Sequence, residues 1–177
     1  MTNDAPHRTR KAPAAVVGML LASLAVYEGE RGYAYRDQAG VLTVCRGITG
    51  PDVVAGKWYS RAECEVLERR FIDRMNATIG RCIAPAALTL GEWKAWGHFT
   101  YNVGTTAFCN STAARYLRQG KYMQACAQMA RWTYLTKPGR GPVNCRIKAE
   151  KCGGIPKRRD YEMQMCVDAQ TEGSILG

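Results

Sequence analysis

The stretch YEGERGYAYRDQAGVLTVCRGITG, residues 27–50, decides the fold, because an apolar helix end meets a small sheet there. Glu28 and Asp37 stand nine residues apart, and Thr43 follows six residues later among turn residues and β-branched side chains. Two carboxyls that project into one cleft from different elements have different surroundings, so their pKa values can be driven apart. We expect one carboxyl to donate a proton while the other stays ionised.

Glycoside hydrolysis requires this division of roles. A protonated carboxyl donates to the leaving oxygen, while an ionised one activates a water or attacks the sugar from the other face. Glu28 follows an apolar run and is the candidate acid, because desolvation raises the pKa of a carboxyl. Asp37 lies in a polar turn and is the candidate anion. The Thr43 hydroxyl both donates and accepts, which suits holding a water beside Asp37.

Three blocks of the sequence resemble the phage-type lysozymes, the endolysins of glycoside hydrolase family 24. They are residues 27–50, FTYNVGTTAFCNST at residues 99–112 and PKRRDYE at residues 156–162, in the same order along the chain. The resemblance implies an α+β, mainly α, phage-type lysozyme fold that cuts the glycosidic bond of peptidoglycan. We expect the reaction to require no metal and no organic cofactor.

The catalytic roles of that family fall on three residues here. Glu28 corresponds to the general acid, and Asp37 and Thr43 correspond to the pair that positions the hydrolytic water. Glu30 competes with Glu28, but the spacing of the family selects Glu28. Two acids on separate elements with a water between them would invert the anomeric centre, which predicts a carboxyl separation of about 6.5–9.5 Å.

Further site residues follow from the two downstream blocks. Arg158 corresponds to an arginine that pairs with the acid, although the Pro-Lys in front of it departs from the valine or asparagine of relatives. Asn102 and Thr105 border the sugar-binding cleft in the family and are candidate substrate contacts. Alternatively, Asn102 ends a helix and Gly104 turns the chain. We expect His98 to be packed rather than catalytic, because it has no placed partner.

The net charge of the chain only partly restricts which classes of partner it can bind. The 177 residues contain 25 Lys and Arg against 15 acids, a formal charge of +10. This excess favours polyanions, and nucleic acid, anionic lipid and an acidic cell wall all satisfy it. Nucleic acid ranks last, because no aromatic-basic motif supports it. Rival hypotheses to a monomeric muramidase are a non-catalytic basic wall-binding module and a lytic transglycosylase, which forms an anhydro product.

Eight cysteines indicate disulfides in an oxidising compartment, because they include no C-x-x-C pair and only two histidines accompany them. We expect Cys145 and Cys152 to pair locally. Cys109 and Cys126 are candidates to tie two short helices together. Cys45 is expected to be a structural staple rather than a clamp on the cleft. The full set of candidates is Cys45, Cys64, Cys82, Cys109, Cys126, Cys145, Cys152 and Cys166.

The N-terminal region has two parts. Residues 1–11 are polar and basic, and we expect them to be poorly ordered. Residues 12–27 carry no charge, and a helix of this length spans about 24 Å, less than the roughly 30 Å hydrocarbon core of a bilayer. A cleaved signal peptide is unattractive, because cleavage would remove the helix that carries Glu28.

Two interpretations of residues 12–27 remain: a soluble core helix, and a releasable membrane anchor. Some endolysins of the family carry such a signal-anchor-release segment, which tethers the enzyme to the inner membrane until it leaves the bilayer. The anchor interpretation places the protein in the host periplasm. In some relatives a cysteine replaces the catalytic aspartate, but Asp37 occupies that position here, so this particular switch is not expected.

The remaining organisation is a catalytic domain over residues 28–177. It divides into a small β-lobe at about residues 33–58 and a helical lobe at about residues 60–170. Capping boxes of the S/T-x-x-E type at Ser60 and Thr89 predict two helix starts.

The helix after Ser60 is expected to extend from residue 61 to residue 79 and to end at Gly80, a residue that favours helix ends. Residues 136–156 are rich in Gly, Pro and basic side chains, and we expect an exposed loop there; the alternative is that its five basic residues contact carboxylates of the cell wall.

Overall fold

The computed structural model describes residues 7–24, 31–36, 40–137 and 139–171. Within these ranges the chain forms seven α-helices and two small antiparallel sheets, which confirms the α+β, mainly α, prediction. Two of the predicted catalytic residues, Glu28 and Asp37, lie outside the described residues.

A small lobe contains the first sheet. Strands β1 (Arg31–Arg36), β2 (Leu42–Cys45) and β3 (Ile48–Thr49) pair antiparallel in sequential order. β1 begins two residues before the predicted lobe. The sheet packs on a small apolar core of its own, to which β2 contributes two consecutive buried residues, Val44 and Cys45. The buried residues of this core include Val44, Ile48, Val53, Tyr59 and Leu67.

The larger lobe contains the helices. They are α1 (Ala14–Leu24), α2 (Arg61–Ile83), α3 (Leu90–Val103), α4 (Thr105–Cys109), α5 (Thr112–Arg118), α6 (Tyr122–Gln128) and α7 (Gly154–Thr171). Both predicted capping boxes are confirmed. The side chain of Ser60 accepts from the N–H of Glu63, and the side chain of Thr89 accepts from the N–H of Glu92.

The prediction that Gly80 ends α2 is wrong, because the helix continues to Ile83. Gly80 gives room to a neighbouring segment instead: a Cβ atom there would lie 2.9 Å from the carbonyl oxygen of Arg10. The helix ends where Pro85 follows Ala84, whose ψ of 138° is extended. A residue before proline is disfavoured in the helical region, so this proline is the physical stop signal.

An aromatic cluster forms the centre of the helical lobe. Trp93, Trp96 and Phe99 on α3 are fully buried, and Phe108 on α4 joins them. The rings of Trp96 and Phe99 meet edge to face, with centroids 5.8 Å apart. This geometry is favourable for aromatic pairs and adds to the burial of their large apolar surface.

Helix α1 packs into the same core. Val16, Val17 and Leu20 are buried there. A Cβ atom on Gly97 of α3 would lie 2.6 Å from the Cδ1 atom of Leu20, so this glycine allows the two helices to approach closely. Among the described residues, no helix combines the length and the apolar character needed to cross a bilayer.

Residues 8–11 form an ordered clip, which contradicts the prediction of a poorly ordered tail for this part of residues 1–11. Thr9 and Leu88 exchange backbone hydrogen bonds of 2.7 and 2.9 Å. The guanidinium of Arg8 lies 2.5 Å from the carboxylate of fully buried Glu92 and donates to Gln170 at 2.9 Å. The prediction failed because the partners of this polar segment are 79 to 162 residues away in sequence.

Four disulfides connect the elements: Cys45–Cys64, Cys82–Cys109, Cys126–Cys166 and Cys145–Cys152. The local pair of Cys145 with Cys152 is confirmed. The suggested link between Cys109 and Cys126 is wrong, because these cysteines face different long helices. The bond of Cys45 joins β2 to α2 and staples the small lobe to the large one.

A second hairpin occupies part of the predicted loop at residues 136–156. Strands β4 (Tyr134–Lys137) and β5 (Gly141–Asn144) pair antiparallel over four residue pairs. The prediction of an unstructured loop is therefore wrong over these residues. The Pro-Gly-Arg-Gly turn signal between two β-prone runs could have indicated the hairpin.

Candidate active-site cleft

Thr43 lies in the middle strand of the small sheet. It pairs with Tyr35 on β1 and with Thr49 on β3, and its side chain is buried. Its hydroxyl donates to the carbonyl oxygen of Val41 at 3.0 Å. This contact uses the only proton of the hydroxyl, which can still accept from a water or a donor group. The strand β1 leads directly to Asp37, whose own position, like that of Glu28, is outside the described ranges.

A cleft of about 330 Å³ separates the two lobes. Thr49 and Gly50 line it from the small lobe, and Gly104 and Thr105 line it from the helical lobe. The backbone of Gly104 has a φ of +85°, which confirms that this glycine turns the chain after α3. Thr105, at the start of α4, follows this turn and lines the cleft.

Two larger concavities lie elsewhere on the surface. One, of about 440 Å³, is lined by Lys57, Glu63 and the start of α2. The other, of about 480 Å³, lies between residues 10–17 and α2. Neither contains any of the predicted site residues, so size alone does not identify the functional cleft.

Two predicted site residues meet on the helical lobe. The guanidinium of Arg158, on α7, donates to the side-chain oxygen of Asn102, on α3. The amide nitrogen of Asn102 donates to the carbonyl oxygen of His98 at 2.9 Å. Asn102 lies within α3 and does not end it, since the helix extends to Val103. The side chain of Asn102 therefore orients Arg158.

A buried ion pair supports this contact, and the sequence analysis missed it. Arg159 donates to Glu162 at 2.8 Å, and their side chains are only 4% and 0% exposed. Burial raises the pKa of Glu162 to about 7, although Arg159 and then Arg158 oppose this shift. Burial also lowers the pKa of Arg159. The i, i+3 spacing in RRDYE is the signal that could have indicated the pair.

His98 is buried, as expected, and its contact extends the arrangement to α1. Its Nε2 atom lies 2.6 Å from the hydroxyl oxygen of Ser23. Burial lowers the pKa of His98 to about 4, and nearby Lys94, Arg158 and Arg159 act in the same direction. We use the name interhelical polar cluster for Ser23, His98, Asn102, Arg158, Arg159 and Glu162.

In the described part of the chain, no group of three His, Cys, Asp or Glu side chains is placed to hold a metal ion. The cysteines there are all in disulfides.

Comparison with known proteins identifies the family. The sequence matches the family described as phage lysozyme over residues 25–162. A SAR-endolysin of Enterobacteria phage PA-2 is 33% identical over 182 residues, covering 93% of this chain and 99% of that protein. A SAR-endolysin of Bacteriophage PS34 is 36% identical over 146 residues, covering 81% and 78%. The chain therefore belongs to the phage lysozyme family.

Solved structures share the architecture. The endolysin of Escherichia coli O157:H7 phage FAHEc1 superposes with a TM-score of 0.67 at 23% identity, covering 89% of this chain and 94% of that one. This likeness confirms the predicted lysozyme fold. Membership of the family shows that the protein is a lysozyme, an endolysin whose substrate is bacterial peptidoglycan.

Proposed function

We propose that the protein is an inverting muramidase in which Glu28 is the general acid and Asp37 and Thr43 hold the hydrolytic water. Thr43 supports this assignment, because its buried hydroxyl donates to Val41 and keeps its lone pairs for a water. The acid protonates the leaving oxygen while the water, activated by Asp37, attacks the opposite face of the sugar.

Arg158 then positions the acid. Its guanidinium is already held by Asn102, and Asn102 is fixed by the carbonyl oxygen of His98. A guanidinium presents several donors in a rigid plane, so one part can bind Asn102 while another binds the Glu28 carboxyl. A neighbouring cation favours the ionised form of a carboxyl, and in this proposal it also keeps the acid within reach of the leaving oxygen.

The observation that carries the proposal is the family match over residues 25–162, which spans Glu28, Asp37 and Thr43 in one continuous alignment. The cleft lined by Thr49 and Thr105 adds room for a glycan between the lobes. A non-catalytic wall-binding module and a lytic transglycosylase are the alternatives.

The masses of the reaction products test this function. We expect purified peptidoglycan to yield fragments with a free reducing end, each heavier by one water than the corresponding anhydro product. Thr43→Val should lower the rate about 10²-fold without changing the products, because it removes one contact of the water. Anhydro products would establish a transglycosylase, and an absence of soluble products would establish a binding module. Thr112→Val, at the start of α5 and outside the lining of the cleft, is the matched control.

We further propose that residues 12–27 form a releasable anchor and that the enzyme works as a monomer in the periplasm. The similar proteins of phages PA-2 and PS34 are described as SAR-endolysins. The positive flank at Arg8, Arg10 and Lys11 would keep this end cytoplasmic before release. The small residues of α1 make membrane insertion weakly favourable, since they bury little apolar area.

The clip at residues 8–11 offers a reason why release would be irreversible. The carboxylate of Glu92 is fully buried and accepts from Thr89, Gln170 and Arg8. Arg8 also lies over the ring of Tyr122, 3.8 Å from its centroid. A buried carboxylate without its cation is strongly destabilised, so the folded lobe gains stability when Arg8 arrives.

Removal of Arg8 tests the clip. We expect Arg8→Ala to lower the free energy of unfolding of the purified protein by about 2 kcal/mol, because it leaves Glu92 unpaired while Arg8 itself is partly exposed. Arg10→Ala is the matched control and should cost less than about 0.5 kcal/mol. Adding Glu92→Gln to Arg8→Ala should restore part of the loss. Equal urea midpoints for the two single variants would contradict the role of the clip.

A further inference from the structure

Large apolar side chains are exposed around the second hairpin. Tyr134 on β4 is 62% exposed and Ile147, just after β5, is 55% exposed. Tyr161, on α7, is 49% exposed. The ion pair between Arg146 and Asp160 joins the segment that carries Ile147 to the start of α7, which carries Tyr161. We call residues 134–137 and 139–152 the cross-linked hairpin.

The cross-linked hairpin is held rigidly. The Cys145–Cys152 disulfide closes the segment that follows β5. Glu150 binds Lys137 at 2.9 Å and Arg140 at 3.1 Å, which ties this segment back to the tip of the hairpin. A surface that is already ordered loses little conformational entropy when it binds a partner. This degree of cross-linking is more than an exposed connecting loop requires.

The charge of this region is strongly positive. The cross-linked hairpin contains five Lys and Arg and one acid, Glu150, so it contributes +4 of the formal charge of +10, and Asp160 of α7 lies against it. The acids are already paired: Glu150 binds the hairpin tip and Asp160 binds Arg146. Lys148, Lys151 and Lys157 are exposed beside these pairs. The surface therefore combines exposed tyrosines with unneutralised cations.

We propose that the cross-linked hairpin is an accessory peptidoglycan-binding surface outside the catalytic cleft. Tyrosine rings provide rigid amphipathic faces on which sugar rings can stack, at a small cost in side-chain entropy. The lysines complement the free carboxylates of the stem peptides that project from the glycan. The wall presents sugar faces and carboxylates together in one polymer, whereas an anionic phospholipid bilayer presents phosphates without sugar rings, which is why the wall fits better than a bilayer. The inference rests on the proposed muramidase function for its substrate.

Binding is measured separately from catalysis to test the surface. In a Glu28→Gln background, we expect Tyr134→Ser combined with Ile147→Ser to weaken co-sedimentation with insoluble peptidoglycan about tenfold. The matched control is Val66→Ser combined with Met123→Ser, two side chains that are each 50% exposed on α2 and α6. Lys148→Gln combined with Lys151→Gln should reduce the dependence of binding on salt, because each cation contributes electrostatic attraction that salt screens.

Activity provides the second measurement. With Glu28 intact, the Tyr134 and Ile147 variant should clear insoluble wall more slowly but hydrolyse a short soluble glycan fragment at the wild-type rate. Unchanged co-sedimentation of the variant with peptidoglycan would overturn the accessory surface. Co-sedimentation with phosphatidylglycerol vesicles is measured in parallel, and a loss of binding to the vesicles alone would also overturn it. Equal losses of rate on the insoluble wall and on the soluble fragment would show that the hairpin is part of the catalytic cleft. This result would also overturn the proposal of an accessory surface. A wild-type protein that cleaves neither substrate would contradict the proposed function. The accessory surface would still be tested in that case, because co-sedimentation does not depend on cleavage.

Discussion

Glu28→Gln is expected to lower the rate of peptidoglycan hydrolysis about 10²- to 10⁴-fold, because an amide cannot donate the proton that the leaving oxygen needs. The substitution keeps the size of the side chain. Clearing of a purified wall suspension, followed by reducing-end assay, gives the two rates. The far-ultraviolet circular dichroism and the thermal midpoint of the variant should remain close to those of the wild type.

Glu30→Gln is the matched control, since it changes the same residue type two positions away. We expect it to retain most of the wild-type rate. A large loss in Glu30→Gln with an active Glu28→Gln would reassign the acid. Comparable activity in both variants would remove the two-carboxyl mechanism altogether.

The second expected result concerns the pH dependence of stability. The free energy of unfolding of the wild type should change little between pH 4.5 and pH 6.5 on account of Glu162 and His98, because their contributions oppose each other. Burial raises the pKa of Glu162 from 4.5 to about 7. The contribution of Glu162 to the free energy of unfolding is therefore fully present below pH 4.5 and is lost as the pH rises through 7.

His98 acts in the opposite direction. Burial and the neighbouring cations lower its pKa from 6.5 to about 4. Its contribution is therefore present above pH 6.5 and is lost as the pH falls through 4. Between these limits the folded state carries a proton on Glu162 that the unfolded state lacks, and the unfolded state carries one on His98 that the folded state lacks. The two proton differences cancel.

Single substitutions should reveal the opposing slopes. When the pH falls from 6.5 to 4.5, the free energy of unfolding of Glu162→Gln should decrease by about 3 kcal/mol relative to the wild type. That of His98→Gln should increase by about 3 kcal/mol over the same interval. Urea unfolding at a series of pH values gives both slopes. Parallel curves for the three proteins would show that these groups titrate alike in the folded and unfolded states. The double variant should again be nearly flat.

Much of the fold follows from local sequence signals. Ser60 and Thr89 each satisfy a backbone donor at a helix start, and this chemistry involves residues only three positions apart. Thr43 and the strands around it follow from β-branched residues between glycine turns. The pairing of Cys145 with Cys152 was also predictable, since only seven positions separate them.

Contacts between distant segments could not be predicted in the same way. The pairing of Cys126 with Cys166 depends on how α6 packs against α7, and no local pattern encodes that packing. Arg159 and Glu162 resemble an ordinary solvated pair one helical turn apart, and only their burial against α3 makes them a structural element. The interhelical polar cluster therefore becomes visible only in three dimensions.

The contact of Arg8 and Gln170 with Glu92 has a consequence for how the molecule comes apart. These two residues are 162 positions apart along the chain, yet they hold one carboxylate. Arg8 also donates to Gln170 directly, so the detachment of either segment removes a hydrogen-bond partner of the other, and the two detachments are cooperative. The segment before α1 and the end of α7 thus form a single unit of local unfolding, although most of the chain lies between them.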